Sequence, residues 1–154
     1  MDNKYILFTL DGETYAVDIL GITSIEEVGK PTPVPRAPKF LQGIINLRDN
    51  IIPVVNLRYV LGYEKKSFEG EKIKVLITRI NDVELALSVD EVVEIYSPSE
   101  EIVADVPKLA KTPATEYADK ILKKDNGVVI VISTTQLLSK AEQDEVDAVL
   151  ERYN

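Results

Sequence analysis

The chain has 154 residues, of which 45% are hydrophobic, a composition typical of one globular domain. It contains no histidine, cysteine or tryptophan, which excludes thiol and imidazole catalysis and the usual zinc sites. Lysine and arginine number 18 against 26 aspartates and glutamates, and the resulting net charge of -8 disfavours nucleic-acid partners. No apolar run reaches the roughly 20 residues of a spanning helix, and no signal peptide is evident, so we expect a cytoplasmic protein without membrane insertion.

The first third of the chain predicts a hairpin, a third strand and a stiff connection. Apolar runs at 5–10 and 15–19 flank Asp11-Gly12, a strong hairpin signal, and residues 22–28 extend the sheet. Four prolines within residues 30–38 predict an extended connection, because proline joins neither a helix interior nor a central strand.

The middle of the chain predicts two more hairpins. Strands at 44–47 and 51–55 flank a tight turn at Arg48-Asp49-Asn50, and a short helix then begins at Asn56 as N-cap and ends at Gly62. After a polar linker, strands at 74–80 and 83–89 flank Asn81-Asp82, and 92–96 continues the sheet.

The last third predicts a loop, one hairpin and a helix. Residues 97–115 are expected to be mainly loop, and strands at 117–124 and 128–132 flank Asp125-Asn126-Gly127. A short helix is predicted at 134–139. An amphipathic helix is predicted at 141–153, where Val146, Val149, Leu150 and Tyr153 share one face.

The two halves of the chain repeat the same order of elements. A shift of 70 residues superimposes the first hairpins, and a shift of 76, with one inserted residue, superimposes the hairpins at 49–52 and 125–129. We therefore expect a single domain over residues 1–154 that is mainly β. Lobes at 1–70 and 71–139 would each curl into a five-stranded barrel, which removes open sheet edges. Residues 140–154 would form a helix against the interface that the lobes share.

Residues 43–58 read GIINLRDNIIPVVNLR and resemble the CheW family of bacterial chemotaxis coupling proteins, whose pattern is G-x-x-N-L-R-G-x-I-x-P-x-x-D-L-R. Weaker matches follow the family order along essentially the whole chain. They are the opening hairpin at 8–19, the proline-rich lead-in at 33–40, the V-D-x-V stretch at 89–92, residues 115–117 and the leucine pair Leu137-Leu138.

The resemblance implies two intertwined five-stranded, SH3-like barrels with a C-terminal helix. It implies no catalysis, cofactor or metal. It further implies a cytoplasmic adaptor, recruited to membrane-bound receptor arrays. Such an adaptor couples the signalling tips of chemoreceptors (methyl-accepting chemotaxis proteins) to the histidine kinase CheA, whose regulatory domain shares this fold.

The resemblance also places a receptor-binding surface on named residues. Arg48 is the first candidate, because its planar guanidinium suits a receptor carboxylate. A solvated turn residue, or one joining the lobes through a local carboxylate, is the alternative for Arg48. The other candidates are Ile22, Ser24, Ile25, Gly43, Val92 and Ile95. For the apolar candidates a plain core position is the alternative, and for Gly43 a backbone role comes first.

The sequence departs from the family pattern at several positions. Asp49 replaces a glycine, Asn56 an aspartate and Ser24 a glutamate, and Asp119 and Lys120 replace glycines of the last hairpin. These departures bear on partner contacts more than on the fold.

Other interpretations stay open from the residues alone. An enzyme would have to use carboxylates such as Asp18, Asp90 and Glu94, and a deep pocket holding carboxylates of raised pKa would favour it. A CheW-like domain serving a different signalling array is a second possibility. Arg58 and Asp90 are expected to be structural, with Arg58 covering the short helix and Asp90 bonding backbone amides.

Overall fold

β-Strands dominate the computed structural model, which describes residues 3–68, 70–99, 102–107 and 115–153. The strands are β1 (Tyr5–Leu10), β2 (Glu13–Asp18), β3 (Ile22–Gly29), β4 (Leu41–Leu47), β5 (Asn50–Asn56), β6 (Lys72–Ile80), β7 (Val83–Val89), β8 (Glu91–Tyr96), β9 (Val103–Asp105), β10 (Ala118–Lys124) and β11 (Gly127–Ile132). The α-helices are α1 (Leu57–Val60) and α2 (Lys140–Glu151), and Ile19–Gly21 forms one 3-10 turn. The mainly β fold expected from the sequence is confirmed.

Four hairpins turn through two residues in left-handed backbone. The φ angles are 49° and 84° at Asp11-Gly12, 50° and 67° at Arg48-Asp49, 50° and 65° at Asn81-Asp82, and 50° and 64° at Asp125-Asn126. Such turns match the right-handed twist of the flanking strands. Two predicted turns were therefore one residue too long, because Asn50 and Gly127 are the first residues of β5 and β11.

The strands form two sheets that exchange strands between the halves of the chain. The six-stranded sheet has the order β8-β1-β2-β11-β10-β9, and the five-stranded sheet has the order β3-β6-β7-β5-β4. Neighbours are antiparallel except for β2 with β11 and β5 with β7. The expected lobes 1–70 and 71–139 therefore do not coincide with the sheets. The reason is that β3, which follows the β1–β2 hairpin along the chain, pairs with β6. Likewise β8, which follows the β6–β7 hairpin, pairs with β1. A lone hairpin is marginal in water, and the exchange gives each hairpin further strands to pair with.

The predicted internal repeat is present in the strand register. Ile25 pairs with Leu76, and 70 residues later Ile95 pairs with Ile6. The pairing of β4 with β5 recurs in β10 with β11 at a constant shift of 77, with the irregularity at the same place. The predicted insertion is therefore wrong: the Arg48-Asp49 turn corresponds to the Asp125-Asn126 turn.

Apolar side chains form three clusters because successive residues of a strand face opposite sides. Along β1, Tyr5 and Leu7 join a cluster of the six-stranded sheet, whereas Ile6 and Phe8 face the space between the sheets. The five-stranded sheet has its own cluster, formed by Ile45, Ile52, Val54, Ile73, Val75, Ile77 and Ala86. The largest cluster, the inter-sheet core, joins the two sheets.

Helix α2 covers the inter-sheet core. It begins with a capping box, in which the Ser139 hydroxyl accepts the Glu142 N–H at 3.1 Å and a Glu142 carboxylate oxygen accepts the Ser139 N–H at 2.8 Å. Val146 and Val149 are fully buried, as the helical spacing predicts. After the helix, Arg152 donates to the Pro35 carbonyl at 3.0 Å, which holds the proline-rich connection. No helix among the described residues is long and apolar enough to cross a membrane.

One prediction for the last third is wrong. Residues 134–139 form turns instead of a helix, where the Gln136 N–H bonds the Ser133 carbonyl in a single turn that does not continue. The described part of the segment expected to be mainly loop is so, except that residues 103–105 form strand β9 beside β10, which gives that sheet six strands rather than five. The part of that segment at 108–114 lies outside the described residues.

Candidate partner-binding surface

The candidate residues lie on the edges of the two sheets. Ile22, Ser24 and Ile25 are on β3, Gly43 is on β4, Arg48 is in the β4–β5 turn, and Val92 and Ile95 are on β8. Strands β3 and β4 are the two edges of the five-stranded sheet, and β8 is an edge of the six-stranded sheet. Thr32 pairs with Ile44 and covers the β4 edge at Gly43, so the candidates on β3 and β8 are the ones at uncovered sheet edges.

The apolar candidates point toward the inter-sheet side of their sheets. Ile25 lies opposite Leu76, and Ile95 lies opposite Ile6, and both partners belong to the inter-sheet core. Residues paired directly across antiparallel strands share a face of the sheet. Ile25 is 41% exposed and Ile95 is 56% exposed. These two isoleucines therefore extend the apolar surface of the core outward to the sheet edges.

Ile22 and Val92 occupy the position between core and surface. Both are partly buried and pack against the inter-sheet core. Their core interpretation is therefore correct in part. Ser24 on β3 is also half-buried and lies opposite Ile77 on β6.

Arg48 makes one ion pair and stays exposed. Its Nη2 lies 3.1 Å from Glu26 Oε2 on β3, while 71% of the Arg48 side chain is exposed. Glu26 is a local carboxylate, but it lies on the same sheet as the β4–β5 hairpin, so the pair does not join the two lobes as the alternative interpretation supposed. A guanidinium has five N–H donors, and within the described part of the chain Arg48 uses only Nη2 in a side-chain hydrogen bond. The remaining donors are available to a second carboxylate.

A matching contact occurs on the six-stranded sheet. Lys124, just before the Asp125-Asn126 turn, places Nζ 3.8 Å from Glu94 Oε1 and 5.4 Å from the centre of the Tyr96 ring, both on edge strand β8. The hydrogen bond that Lys124 Nζ donates to Asp125 Oδ2 is the main cause that raises the pKa of Lys124. The sequence analysis did not predict this contact. The repeat was the available signal, since it relates this hairpin to the one that carries Arg48.

Gly43 has a backbone role. It is buried with φ at 154°, and a β-carbon there would lie 2.4 Å from the Thr32 carbonyl oxygen. Thr32 and Ile44 exchange two backbone hydrogen bonds of 2.9 Å at this point. The repeat places Lys120 at the corresponding position of β10, where the neighbouring strand is β9 and pairs it with Asp105.

Asn56 caps α1 and also donates a side-chain hydrogen bond, which the aspartate of the family pattern cannot do. Its Oδ1 accepts the Tyr59 N–H at 3.1 Å, as predicted, and its Nδ2 donates to the Lys66 carbonyl at 2.8 Å. A carboxylate has no proton to donate to that carbonyl. The departure from the family pattern therefore holds the segment after α1 in place.

Arg58 and Asp90 form a partly buried ion pair. Arg58 Nη2 lies 2.6 Å from Asp90 Oδ1 and 2.7 Å from Asp90 Oδ2. Asp90 Oδ2 also accepts the Asp11 N–H at 2.6 Å, so the expected bond to a backbone amide is confirmed. Arg58 packs over the Phe68 ring at 4.6 Å.

The carboxylates considered for an enzyme are not assembled into one site. Asp18 accepts the Leu20 N–H at 2.9 Å, Asp90 pairs with Arg58, and Glu94 lies beside Lys124. The residues that the structure describes contain no cluster of His, Cys, Asp or Glu able to hold a metal ion. A cleft of about 820 Å³ lies between α2 and the 134–139 segment, on a different part of the surface from these three carboxylates.

Two sheets thus exchange strands around a common core, and Ile25 and Ile95 are exposed on their edges. The chain belongs to the family of CheW-like domains, whose profile matches residues 4–142. This confirms the resemblance found in the sequence.

Relatives and a solved structure agree with that family. The chain is 36% identical to the chemotaxis protein CheW of Thermotoga maritima over 127 residues, covering 82% of this chain and 76% of that protein. It is 29% identical to the chemotaxis protein CheW of Klebsiella aerogenes over 150 residues, covering 97% and 90%. The crystal structure of the scaffolding protein TtCheW from Thermoanaerobacter tengcongensis is similar with a TM-score of 0.79 and 31% identity, covering 89% of this chain and 92% of that one.

Proposed function

We propose that this protein is a non-catalytic adaptor of bacterial chemotaxis that couples the cytoplasmic tips of chemoreceptors to the histidine kinase CheA. The observation that carries the proposal is the match to the CheW-like family over residues 4–142, together with relatives named chemotaxis proteins CheW. The mechanism requires no turnover. An adaptor that binds both partners raises the effective concentration of the kinase at the receptor.

The proposed receptor surface consists of the exposed edges. A receptor signalling tip is helical, and an amphipathic helix binds by laying its apolar side into an apolar groove. Ile25 and Ile95, backed by Ile22 and Val92, supply apolar contacts, and Arg48 supplies donors for a carboxylate. Ser24 lies beside Ile25 on the same strand, and Gly43 acts by holding the backbone of β4. The regulatory domain of CheA is the proposed kinase partner, and the site of action is the cytoplasmic face of the receptor array.

Co-sedimentation tests the proposal directly. Receptor-bearing membranes are pelleted with CheA in the presence or absence of this protein, and the kinase in the pellet is measured. We expect the kinase to pellet only when the protein is present and Arg48→Ala to reduce that amount. Arg79→Ala is the matched control, because Arg79 also has an exposed side chain in a 3.2 Å ion pair, with Glu84.

The outcomes separate the role from the residue. Binding to neither receptor nor kinase rules out coupling of these partners. Coupling that persists equally in Arg48→Ala and Arg79→Ala retains the adaptor and removes Arg48 from the receptor surface.

A further inference from the structure

Asp90 lies where the chain crosses from one sheet to the other. It is the single residue between β7 of the five-stranded sheet and β8 of the six-stranded sheet. Its backbone N–H donates to the Thr9 carbonyl at 3.0 Å, and its Oδ2 accepts the Asp11 N–H at 2.6 Å. Both bonds reach the β1–β2 hairpin of the six-stranded sheet. One side of the carboxylate is thus fixed to that sheet.

Arg58 holds the other side of the same carboxylate. Both of its contacts to Asp90 are 2.7 Å or shorter, and its side chain is 7% exposed against 22% for Asp90. Arg58 Nη1 also donates to the Ser67 carbonyl at 2.9 Å, and Phe68 packs against the cluster of the five-stranded sheet. The guanidinium therefore connects the segment leading into the five-stranded sheet with the hairpin of the other sheet.

The internal repeat supplies a comparison within the molecule. The shift of 70 residues takes Asp90 to Leu20, and the shift of 77 takes Arg58 to Thr135. Leu20 is 87% exposed, and the crossover from β2 to β3 is bonded by the Thr78 hydroxyl, which donates to the Gly21 carbonyl at 2.6 Å. No ion pair is found at that crossover among the residues the structure describes. Strand exchange therefore does not need an ion pair. The Arg58–Asp90 pair at the other crossover calls for a different explanation.

We infer that Arg58 and Asp90 are a positioning pair that fixes the relative orientation of the two sheets. Through that orientation the pair sets the placement of the β3 edge with Ile25 relative to the β8 edge with Ile95. Arg58 Nη2 contacts both Asp90 oxygens, and such a charge-assisted contact is stronger than the neutral bond at the other crossover. The consequence for partner binding rests on the proposed adaptor function. In that case the pair keeps Ile25 and Ile95 in one arrangement for a receptor helix.

Nuclear magnetic resonance tests the orientation without any partner. Asp90→Asn keeps an acceptor for the Asp11 N–H while removing the charge, and Arg58→Lys keeps the charge while removing the Nη1 bond to the Ser67 carbonyl. Lys74→Gln is the matched control, because its exposed 2.8 Å ion pair with Glu91 also joins β6 to β8. Residual dipolar couplings report the orientation of the sheets, and amide exchange reports the Asp11 N–H. We expect both pair variants to remain folded. Their residual dipolar couplings should no longer fit one fixed orientation of the two sheets, and the Asp11 N–H should exchange faster. The control should match the parent protein.

Binding measurements test the consequence for the adaptor. The affinity for a receptor-tip fragment is measured for the parent protein, both pair variants and the Lys74→Gln control. For Asp90→Asn we expect that affinity to fall severalfold, because Ile25 and Ile95 are no longer held in one arrangement, and the control to bind like the parent protein.

The results separate the inference from the proposed function. If the variants fold and their residual dipolar couplings still fit the parent orientation of the two sheets, the positioning role is overturned, whatever the binding measurements show. Unfolding of both variants also overturns it, because the pair would then be needed for the fold itself. A parent protein that binds neither partner contradicts the proposed function, while the orientation measurement still decides the role of the pair.

Discussion

Arg48 in the β4–β5 turn lies 3.1 Å from Glu26 on β3, so one ion pair joins the two opposite edges of the five-stranded sheet. Thr32, three residues after β3, also bonds Ile44 on β4 through two backbone hydrogen bonds. On the other sheet, Lys124 contacts edge strand β8 through Glu94. In both sheets a basic side chain near a hairpin turn thus reaches the far edge. A partner that binds Arg48 would meet a side chain already oriented by Glu26.

The exposed isoleucines should matter for binding and little for stability. Ile25→Ser and Ile95→Ser are each expected to change the free energy of unfolding by less than about 0.5 kcal/mol, because surface substitutions rarely do more. Each should weaken binding of a receptor-tip fragment in isothermal titration calorimetry. Val128→Ser is the control, since Val128 is also exposed but lies on β11 outside the candidate surface. Equal loss of binding in the control would contradict this surface assignment.

Gly43 should not tolerate a side chain. Gly43→Ala is expected to lower the free energy of unfolding by about 3 kcal/mol, because the added methyl meets the Thr32 carbonyl oxygen and φ is positive. Gly29→Ala is the control, as a β-carbon there has no atom within 4 Å. Urea denaturation measures both. Two variants of similar stability would show that the backbone near Thr32 adjusts at little cost.

Restoring the family's glycine at position 49 should stabilise the β4–β5 hairpin. Asp49 has a φ of 67°, and left-handed backbone costs a non-glycine residue about 1 kcal/mol, part of which the entropy of glycine offsets. We therefore expect Asp49→Gly to raise the midpoint of thermal unfolding slightly. Asp144→Gly in the middle of helix α2 should lower that midpoint, because glycine costs about 1 kcal/mol in a helix interior. A decrease in both variants would contradict the role assigned to the turn.

Alkaline pH should destabilise the protein through its buried tyrosines. Burial is the main cause that raises the pKa of Tyr15, and a hydrogen bond between its hydroxyl and that of Tyr63 raises the pKa further. Burial likewise raises the pKa of Tyr117. The unfolded state then loses protons at lower pH than the folded state does. The stability contributed by the neutral hydroxyls is complete below pH 10 and is lost as the pH rises through the raised pKa values.

Chemical denaturation at a series of pH values measures that loss. A tyrosine whose pKa is raised on folding gives a slope of up to about 1.4 kcal/mol per pH unit between its unfolded and folded pKa values, and partial exposure narrows that pH window. Tyr15→Phe should reduce the slope above pH 10, whereas Tyr153→Phe, at an exposed tyrosine, should leave it unchanged. A slope unaffected by Tyr15→Phe would show that Tyr15 does not titrate differently in the two states.

Local chemistry explains how much of this protein was predictable from its sequence. The hairpins follow from residues that accept left-handed backbone at Asp11-Gly12, Asn81-Asp82 and Asp125-Asn126, combined with alternating apolar side chains. Asn56 identifies the start of α1 because its side chain bonds a nearby backbone amide, whereas Ser139, the N-cap of α2, lies inside the helix predicted at 134–139. The motif at 43–58 was sufficient to identify the family. The repeat, read as an order of turns, predicted which elements correspond.

Only the tertiary structure decided how these elements pair. Strands β3 and β8 leave their own hairpins for the opposite sheet, and hydrogen bonds between distant strands carry no local sequence signal. The same limit hid the bond from Asn56 to the Lys66 carbonyl, the contact of Lys124 with β8, and the pairing of Arg58 with Asp90 across 32 positions. Whether Gly43 served a partner or the backbone depended on how closely Thr32 approaches it. Turns and caps depend on neighbouring residues and are legible in sequence, whereas the exchange of strands depends on which apolar faces can be buried together.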